Sequence, residues 1–305
     1  MIAAIVVLYG PELALLERGV ESIAGQVDKV YLVDNTESPR PEMNGFLLRW
    51  GDIIQYLPLG RNQGIAAAQN LAIAECRRAG YSHLFFLDQD TVTPADLTGM
   101  LLRSEQDLVD SGVRVGSVGP LFVDQKSKAL SYAIRYGWFR ARKIYIEPPG
   151  DGPVEADWLI SSGSLIRSSV IEEVGAMRED LFIDWVDAEW GLRARLKGFR
   201  NFIVPSAVME HCIGDDSVEL FSHSFNMHSV ARNYYIVRNA TYLLRPRGMG
   251  WKWVTAMLLR IPKHIVIHTW YSKNRWRSFI FMMRAAVDGM RGRLGPIEVS
   301  RASNG

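Results

Sequence analysis

Leu84–Pro94 reads LFFLDQDTVTP, four apolar residues that run straight into Asp88-Gln89-Asp90 and then a turn. In an extended segment residues i and i+2 point the same way, so Asp88 and Asp90 would present two carboxylates on one side. Left alone, the two charges repel. A divalent cation resolves this, and Mg²⁺ or Mn²⁺ favours a few carboxylates plus phosphate oxygens, which a nucleoside diphosphate would supply. The same acids would also suit the positive end of a helix starting at Thr93-Pro94, with Thr93 as cap and Pro94 in the first turn. The stretch alone leaves both readings open.

Three further clusters carry chemistry. GRNQGIAAAQNLAIAE (Gly60 to Glu75) sets two glycines before a helix, whose first N–H groups can face an anion. It is neither a Walker loop nor GxGxxG. Arg61 adds a permanent cation, and Ala66, Ala67 and Ala68 leave room for close approach. In LFIDWVDAEWGLRARLKG (Leu181 to Gly198), a helix from about Trp185 would bury Trp185, Ala188, Leu192 and Leu196. It would set Asp187, Trp190, Gly191 and Ala194 on another face. A carboxylate at Asp187 can take a proton from a hydroxyl, or it can simply be acid at a helix start. Glu189 and Arg193 are spaced as a helix-surface pair. Glu210-His211 offers a neutral metal or phosphate partner, or a structural histidine.

These residues need a scaffold that gathers them. Ile2–Leu8 is a continuous apolar run suited to a strand buried on both faces. Glu12–Ala24 has helical spacing. Lys29–Val33 reads as a strand ending at Asp34-Asn35, Asp52–Leu57 as a third, Ile65–Arg78 as a helix and Leu84–Leu87 as a fourth strand. Such alternation predicts a mostly parallel sheet covered by helices, with the ligand site at the carboxyl ends of the strands. Asp34, the Gly60–Gly64 loop and Asp88/Asp90 all fall there.

The chain has 305 residues, enough for one large domain with an appendage. Its net charge of +2 hides an asymmetry, because residues 245–293 carry 11 Lys/Arg and a single acid, Asp288. A Pro/Gly-rich stretch, Glu147–Pro153, marks a mid-chain junction, and a second boundary falls at Arg245–Gly250. The expected division is a catalytic domain over 1–244, with a nucleotide half at 1–147 and an acceptor half at 148–244, followed by a helical tail over 245–305. In the tail, Trp251 onward interleaves aromatic and aliphatic residues with Lys and Arg, and Pro262 is expected to split it into two amphipathic helices. These suit an anionic membrane surface, or packing on the body with basic faces outward. No stretch is long and apolar enough to span a bilayer, and MIAAIVVLYG reads as a first strand, not a signal peptide. Cys76 and Cys212 lack metal or disulfide spacing and suit a reducing compartment.

In order along the chain, IVVLYG, Val33-Asp34-Asn35, GRNQGIAAAQN, FLDQD, SSGSLI (Ser161 to Ile166), FIDWVDAEW and EHCIGD resemble the inverting family-2 glycosyltransferases of the GT-A fold. Within them the DQD and FIDWVDAEW forms resemble the bacterial rhamnosyltransferases. The resemblance covers about residues 2–240. It implies an α/β, Rossmann-like, mostly parallel central sheet flanked by helices, here with the basic helical extension. It implies that Asp34 lies near the nucleotide base, that Arg61, Asn62 and Gly64 line the nucleotide, and that Asp88 faces the ribose. Asp90 would hold the metal on the diphosphate, with Asp88 beside it and His211 joining. Asp187 would be the general base and Asp184 its understudy, because Val186 stands where the family has Glu. Ser162 and Gly163 would floor the site. Tyr9, Asn35 and Gln89 are counted with the donor-binding set, and Trp185, Glu189 and Trp190 with the acceptor.

The implied reaction is one displacement from a nucleotide-sugar, dTDP-L-rhamnose first, onto a hydroxyl of a lipopolysaccharide core, O-antigen or other lipid-linked glycan precursor. The implied cofactor is Mg²⁺ or Mn²⁺, and the base needs only to be positioned. A UDP-sugar donor and a non-catalytic sugar-binding relic are the alternatives. A nucleotidyltransferase is disfavoured, because YGPELALLERG is no Gly-rich phosphate loop. Nucleic acid is not an expected partner. The expected place is the cytoplasmic side of a bacterial inner membrane, and the sequence leaves the oligomeric state open.

Overall fold

The computed structural model describes residues 1–38, 41–124, 128–138, 140–211, 217–220, 223–226, 230–245, 249–272 and 274–297, with backbone alone at 211, 217–220 and 223–226. Its first half winds strand and helix in turn: β1 (Ile2–Leu8), α1 (Leu13–Ala24), β2 (Lys29–Asp34), α2 (Glu42–Trp50), β3 (Ile54–Pro58), α3 (Ile65–Arg78), β4 (His83–Asp88), α4 (Leu97–Asp110) and β5 (Val115–Asp124). A hairpin follows, β6 (Tyr132–Tyr136) with β7 (Ala141–Tyr145), then β8 (Val154–Ala156), β9 (Leu165–Arg167), α5 (Ser168–Val174), α6 (Val186–Leu196) and β10 (Arg200–His211). A second pair, β11 (Ser217–Leu220) and β12 (His223–Asn226), precedes α7 (Val230–Tyr242), α8 (Trp251–Tyr271) and α9 (Arg275–Arg291).

Eight strands form one sheet in the order β3-β2-β1-β4-β9-β5-β10-β8. β1 pairs in parallel with both β2 and β4, and β5 with β10, while the short β9 and β8 run antiparallel to their neighbours. The expected α/β, mostly parallel sheet is therefore present. β1 shows why its sequence is apolar without alternation. Ala3 and Ile5 enter the core shared with α3, α5, α6 and α8, whereas Ala4, Val6 and Leu8 enter the core under α1, α2 and α4. α3 lies close to the sheet because Ala66, Ala68 and Ala72, all fully buried, take little space there.

Four expectations are corrected. A helix, α2, occupies Glu42–Trp50, where none was expected; it is short and buries only Met43 and Phe46. α4 begins at Leu97 after Asp96 in a left-handed conformation, not at Thr93-Pro94. The Thr93 hydroxyl is bonded to the Ser22 carbonyl at 3.1 Å and so caps nothing. α6 has no one-sided stripe: Ala188, Glu189, Trp190, Gly191 and Leu192 are all buried, and Leu196 is 62% exposed. α8 runs unbroken through Pro262 to Tyr271, and the second helix of the tail starts at Arg275. The tail packs on the body, with Trp253 fully buried against Trp185 and Tyr136 at ring separations of 5.0 and 5.2 Å.

Candidate active site

The carboxyl ends of β1, β2 and β4 form one rim, as parallel pairing in register requires. Asp88 ends β4, and a turn closed by the Thr91 N–H to the Asp88 carbonyl (3.2 Å) carries Asp90 into solvent. The two acids thus sit on a turn and not along one strand face, which corrects the i, i+2 reading. Gln89 points away from both. Its Oε1 accepts the Tyr9 N–H at 2.8 Å, and its amide reaches back to the Tyr9 carbonyl at 3.4 Å. Gln89 therefore ties the acid turn to the end of β1, and Tyr9 leaves its ring 56% exposed on the rim. From below, the buried Ser162 hydroxyl accepts the Asp88 N–H at 3.2 Å and lies 3.0 Å from the Thr91 hydroxyl. Ser162 holds the turn in place. Gly163, at φ +75, packs where a side chain would meet Pro120 and Met209 within 3 Å.

At the end of β2, Asp34 is buried and already accepts from the Tyr56 hydroxyl (2.6 Å) and the Thr36 N–H (3.0 Å). Asn35 accepts the Gln63 N–H at 2.7 Å and donates to the Asn62 side-chain oxygen at 3.0 Å, and that oxygen also takes the Gly64 N–H. These two asparagines fasten the 60–64 loop to β2, and Arg61 is left exposed on it. At the start of α3 the first N–H, from Ile65, is taken by the Phe182 carbonyl at 2.8 Å. The group that approaches Gly64 is the chain's own 181–185 turn. A Cβ at Gly64 would come within 2.5 Å of the Phe182 carbonyl oxygen.

That turn delivers Asp187. Phe182, Asp184 and Trp185 all have φ between 62 and 66, left-handed values that cost non-glycine residues about 1–3 kcal/mol each. α7 holds them there. The fully buried Asn239 amide donates to the carbonyls of Leu181 (2.9 Å), Ile183 (2.8 Å) and Asp184 (3.2 Å). Its neighbour Arg238, 1% exposed, donates to the Leu181 carbonyl at 3.1 Å and to the Gly295 carbonyl at 2.5 Å. The Trp185 indole N–H donates to the Ile236 carbonyl at 2.9 Å, and the Arg260 guanidinium lies 5.1 Å over its ring.

Asp187 opens α6, with the Ser161 N–H donating to its Oδ2 at 3.1 Å. Burial pushes its carboxyl up to about 7; the Ser161 bond opposes the rise, and the charges of Asp88 and Asp184 add to it. The field of Asp88, at the end of β4, thus reaches the α6 carboxylate. The expectation was of a base that needs only to be positioned; burial also raises this one, and a carboxyl near neutral pH is suited to general-base work. Asp184 is also raised by burial, against the Arg232 guanidinium at 3.2 Å, and its second oxygen is buried with no bonded partner. The 20 Å³ space that Asp187 lines with Ser161 and Trp190 holds no more than a water, so a substrate must reach Asp187 from the rim.

The three acceptor candidates do not face that rim. Glu189 is buried and bonded to Arg193 through both oxygens at 3.0 Å, an internal pair and not a surface one. Trp190 is buried with its indole N–H on the Gly175 carbonyl at 2.9 Å. Trp185 is spent on α7 and Trp253. The His211 side chain and Cys212 lie outside the described residues; Cys76 is a buried free thiol. Among the described residues no three His, Cys, Asp or Glu side chains converge to hold a metal. Asp88 with Asp90 is instead a two-carboxylate set, which fits a hard cation that takes its other ligands from phosphate oxygens and water. Sequence reasoning missed Asn239, Arg238 and Ser161. The one local signal was that Arg238-Asn239 follows directly on the apolar run Tyr234–Val237 of α7.

The glycosyl transferase family 2 model matches residues 4–175. The chain is 33% identical over 307 residues to the dTDP-rhamnosyl transferase RfbF of Shigella flexneri, across 96% of this chain and 97% of that one. Among solved structures, S. aureus TarS 1-349 in complex with UDP-GlcNAc superposes with a TM-score of 0.59 at 13% identity over 96% of this chain and 82% of that one. GalNAc-T7 with UDP, GalNAc and Mn²⁺ gives 0.59 at 14% identity, over 94% of this chain but only 57% of that one. The mannosyltransferase PcManGT of Pyrobaculum calidifontis, with GDP-Man and Mn²⁺, gives 0.55 at 15% identity over 95% and 75%. These likenesses show a shared fold.

Proposed function

The chain belongs to glycosyl transferase family 2, and from that premise we propose that it transfers L-rhamnose from dTDP-L-rhamnose, with inversion, to a hydroxyl of a cell-surface glycan precursor. The single observation that carries the mechanism is Asp187, poised near neutral pH in the field of Asp88. The donor is read from the relative at 33% identity, whose name gives dTDP-rhamnosyl transfer. The acceptor is read as lipid-linked, built on the cytoplasmic face of an inner membrane.

In this reading the nucleotide lies along the rim of β1, β2 and β4, beside Tyr9, Asn35, Arg61 and Asn62. Asp34 acts from beneath, since both its oxygens already hold the chain. Asp88 and Asp90 would hold Mg²⁺ or Mn²⁺ against the diphosphate, where the ion offsets the charge that develops on the leaving group. Gln89 and Ser162 fix the turn on which these acids stand. Asp187, ionised, accepts the proton of the acceptor hydroxyl as that oxygen attacks the anomeric carbon from the face opposite the diphosphate. One displacement inverts the centre, and no covalent enzyme intermediate forms. Asp184 stays beside Arg232 as a buried neighbour whose charge keeps Asp187 basic.

The test is transfer or slow donor hydrolysis with dTDP-L-rhamnose, UDP-glucose, UDP-GlcNAc and GDP-mannose, in Mg²⁺, Mn²⁺ or EDTA, for wild type and Asp90→Ala. Turnover of dTDP-L-rhamnose that is lost in EDTA and in the variant is the expected result. Preference for a UDP-sugar would overturn the donor, and indifference to EDTA and to Asp90 would overturn the metal site.

A further inference from the structure

α8 and α9 carry large apolar side chains on their outward as well as their inward face. Inward, Trp253, Ala256, Met257 and Ile265 of α8 and Met282 and Ala285 of α9 are buried. Outward, Trp251, Leu258, Leu259, Val266 and Trp270 recur along one side of α8, and Leu259 is 70% exposed. On α9, Trp276, Ile280, Met283 and Met290 form a matching row, and Trp276 is 73% exposed. Near the start of α9 the Arg275 guanidinium lies 4.7 Å over the Trp270 ring at the end of the α8 row. Beside them is an open cleft of about 420 Å³, lined by Trp276, Ile280 and Phe281 with Arg277 and Arg284. Contiguous exposed apolar surface of this kind marks an interaction site.

Charge decides what covers it. Residues 245–293 hold 11 Lys/Arg, and their single acid, Asp288, is buried on the Tyr234 hydroxyl at 2.6 Å. The outer surface of the hairpin is thus cationic with no carboxylate of its own. A second copy docking face to face would set cation against cation. Nucleic acid would leave Leu258, Leu259, Val266 and Ile280 in water. An anionic bilayer surface takes both parts at once, since aliphatic and Trp side chains sink about 5–10 Å into the headgroup boundary while Arg and Lys meet lipid phosphates. No helix of the described residues is long and apolar enough to cross a membrane.

We propose that the outer face of the α8–α9 hairpin is a docking surface for an anionic phospholipid bilayer, on which the hairpin lies flat. It rests on the proposed function only for its purpose, which is to bring a lipid-linked acceptor to Asp187. The inner face of the same hairpin reaches the catalytic turn, through Trp253 and Arg260 on Trp185 and through Gly295 on Arg238. Docking therefore fixes how the site is held above the membrane.

The test is co-sedimentation of the full chain with vesicles of phosphatidylcholine alone or mixed with phosphatidylglycerol, with Trp fluorescence as a second readout and no donor or acceptor present. Wild type should pellet with the anionic vesicles only, shift its emission to the blue and be released by salt. Trp276→Ser with Ile280→Gln should weaken binding at least about 10-fold, and Arg277→Gln with Arg291→Gln by about 5-fold or more per charge. Both variants should keep the wild-type melting temperature and donor hydrolysis rate. Wild type that stays in the supernatant at low salt, or variants that bind as well as wild type, would overturn the proposal. So would wild type that sediments as a dimer which the apolar variant dissociates, for then a second copy covers the face. Because binding is scored without substrate, a wrong donor would leave this result standing.

Discussion

Asp187→Asn should raise stability at pH 8 while abolishing most activity. Asn matches the carboxylate in shape and still offers an oxygen to the Ser161 N–H, so the change isolates the charge. Burial disfavours the ionised form and pushes the folded carboxyl up to about 7 from the ordinary 3.8 of an aspartate. A group whose folded pKa is raised contributes its full stability below the unfolded pKa and loses it as pH climbs through the folded one. Wild type therefore carries no penalty near pH 3 and the whole of it above about pH 7. A shift of about 3 units at about 1.36 kcal/mol each sets an upper bound of about 4 kcal/mol, and partial solvent access cuts this to about 2. In a chain of this size that is about 4 °C of melting temperature. Paired melts of wild type and Asp187→Asn at pH 4, 6 and 8, without nucleotide or metal, should show a gap that opens with pH in favour of the variant. Loss of a general base should cost about 10²–10⁴ in transfer rate, and wild-type kcat/KM should rise with pH through about 7. A variant less stable than wild type at pH 8, or a gap that does not change with pH, would refute the desolvated carboxylate. Retained transfer would refute its role as base.

The strained turn gives two more expectations. Asn239→Leu strips one amide from three buried carbonyls and should cost about 3 kcal/mol in urea unfolding; steady-state kinetics should show kcat falling about 10²-fold with the donor KM nearly unchanged, because the donor rim is not touched. Gly64→Ala puts a Cβ within 2.5 Å of the Phe182 oxygen at φ +87, so the turn must retreat. The expected cost is more than about 2 kcal/mol, together with a loss of transfer that Asp187 alone does not explain; a near-neutral melt would show that the turn yields freely.

What was legible in the sequence was legible for local reasons. β1, β2, β4 and α3 announce themselves because buried parallel strands are continuous apolar runs and α3 is a run of small helix formers. Their carboxyl ends then place Asp34, Asn35, Asp88 and Asp90 on one rim by topology alone. The failures are equally physical. α6 is covered on nearly every side, so periodicity has no face to mark, and Glu189 and Trp190 looked available when one is locked to Arg193 and the other to Gly175. Pro262 did not end α8, which continues for nine residues beyond it to Tyr271, because a proline in mid-helix removes one hydrogen bond without forcing a stop. Hardest to see was the turn before Asp187. Nothing in FIDWVDAEW asks Phe182, Asp184 and Trp185 to take left-handed backbones, and no glycine among them permits it cheaply. The cause lies on α7, where Arg238 and Asn239 gather four hydrogen bonds onto the Leu181, Ile183 and Asp184 carbonyls. α7 is in turn pinned by Tyr234 to Asp288 on α9. The turn before Asp187 is thus held by α7 from within the expected 1–244 domain, and α9 of the tail braces α7 from behind. The boundary expected at residue 244 therefore falls between α7 and the two helices, α8 and α9, that pack on it and whose outward face is the basic, apolar surface.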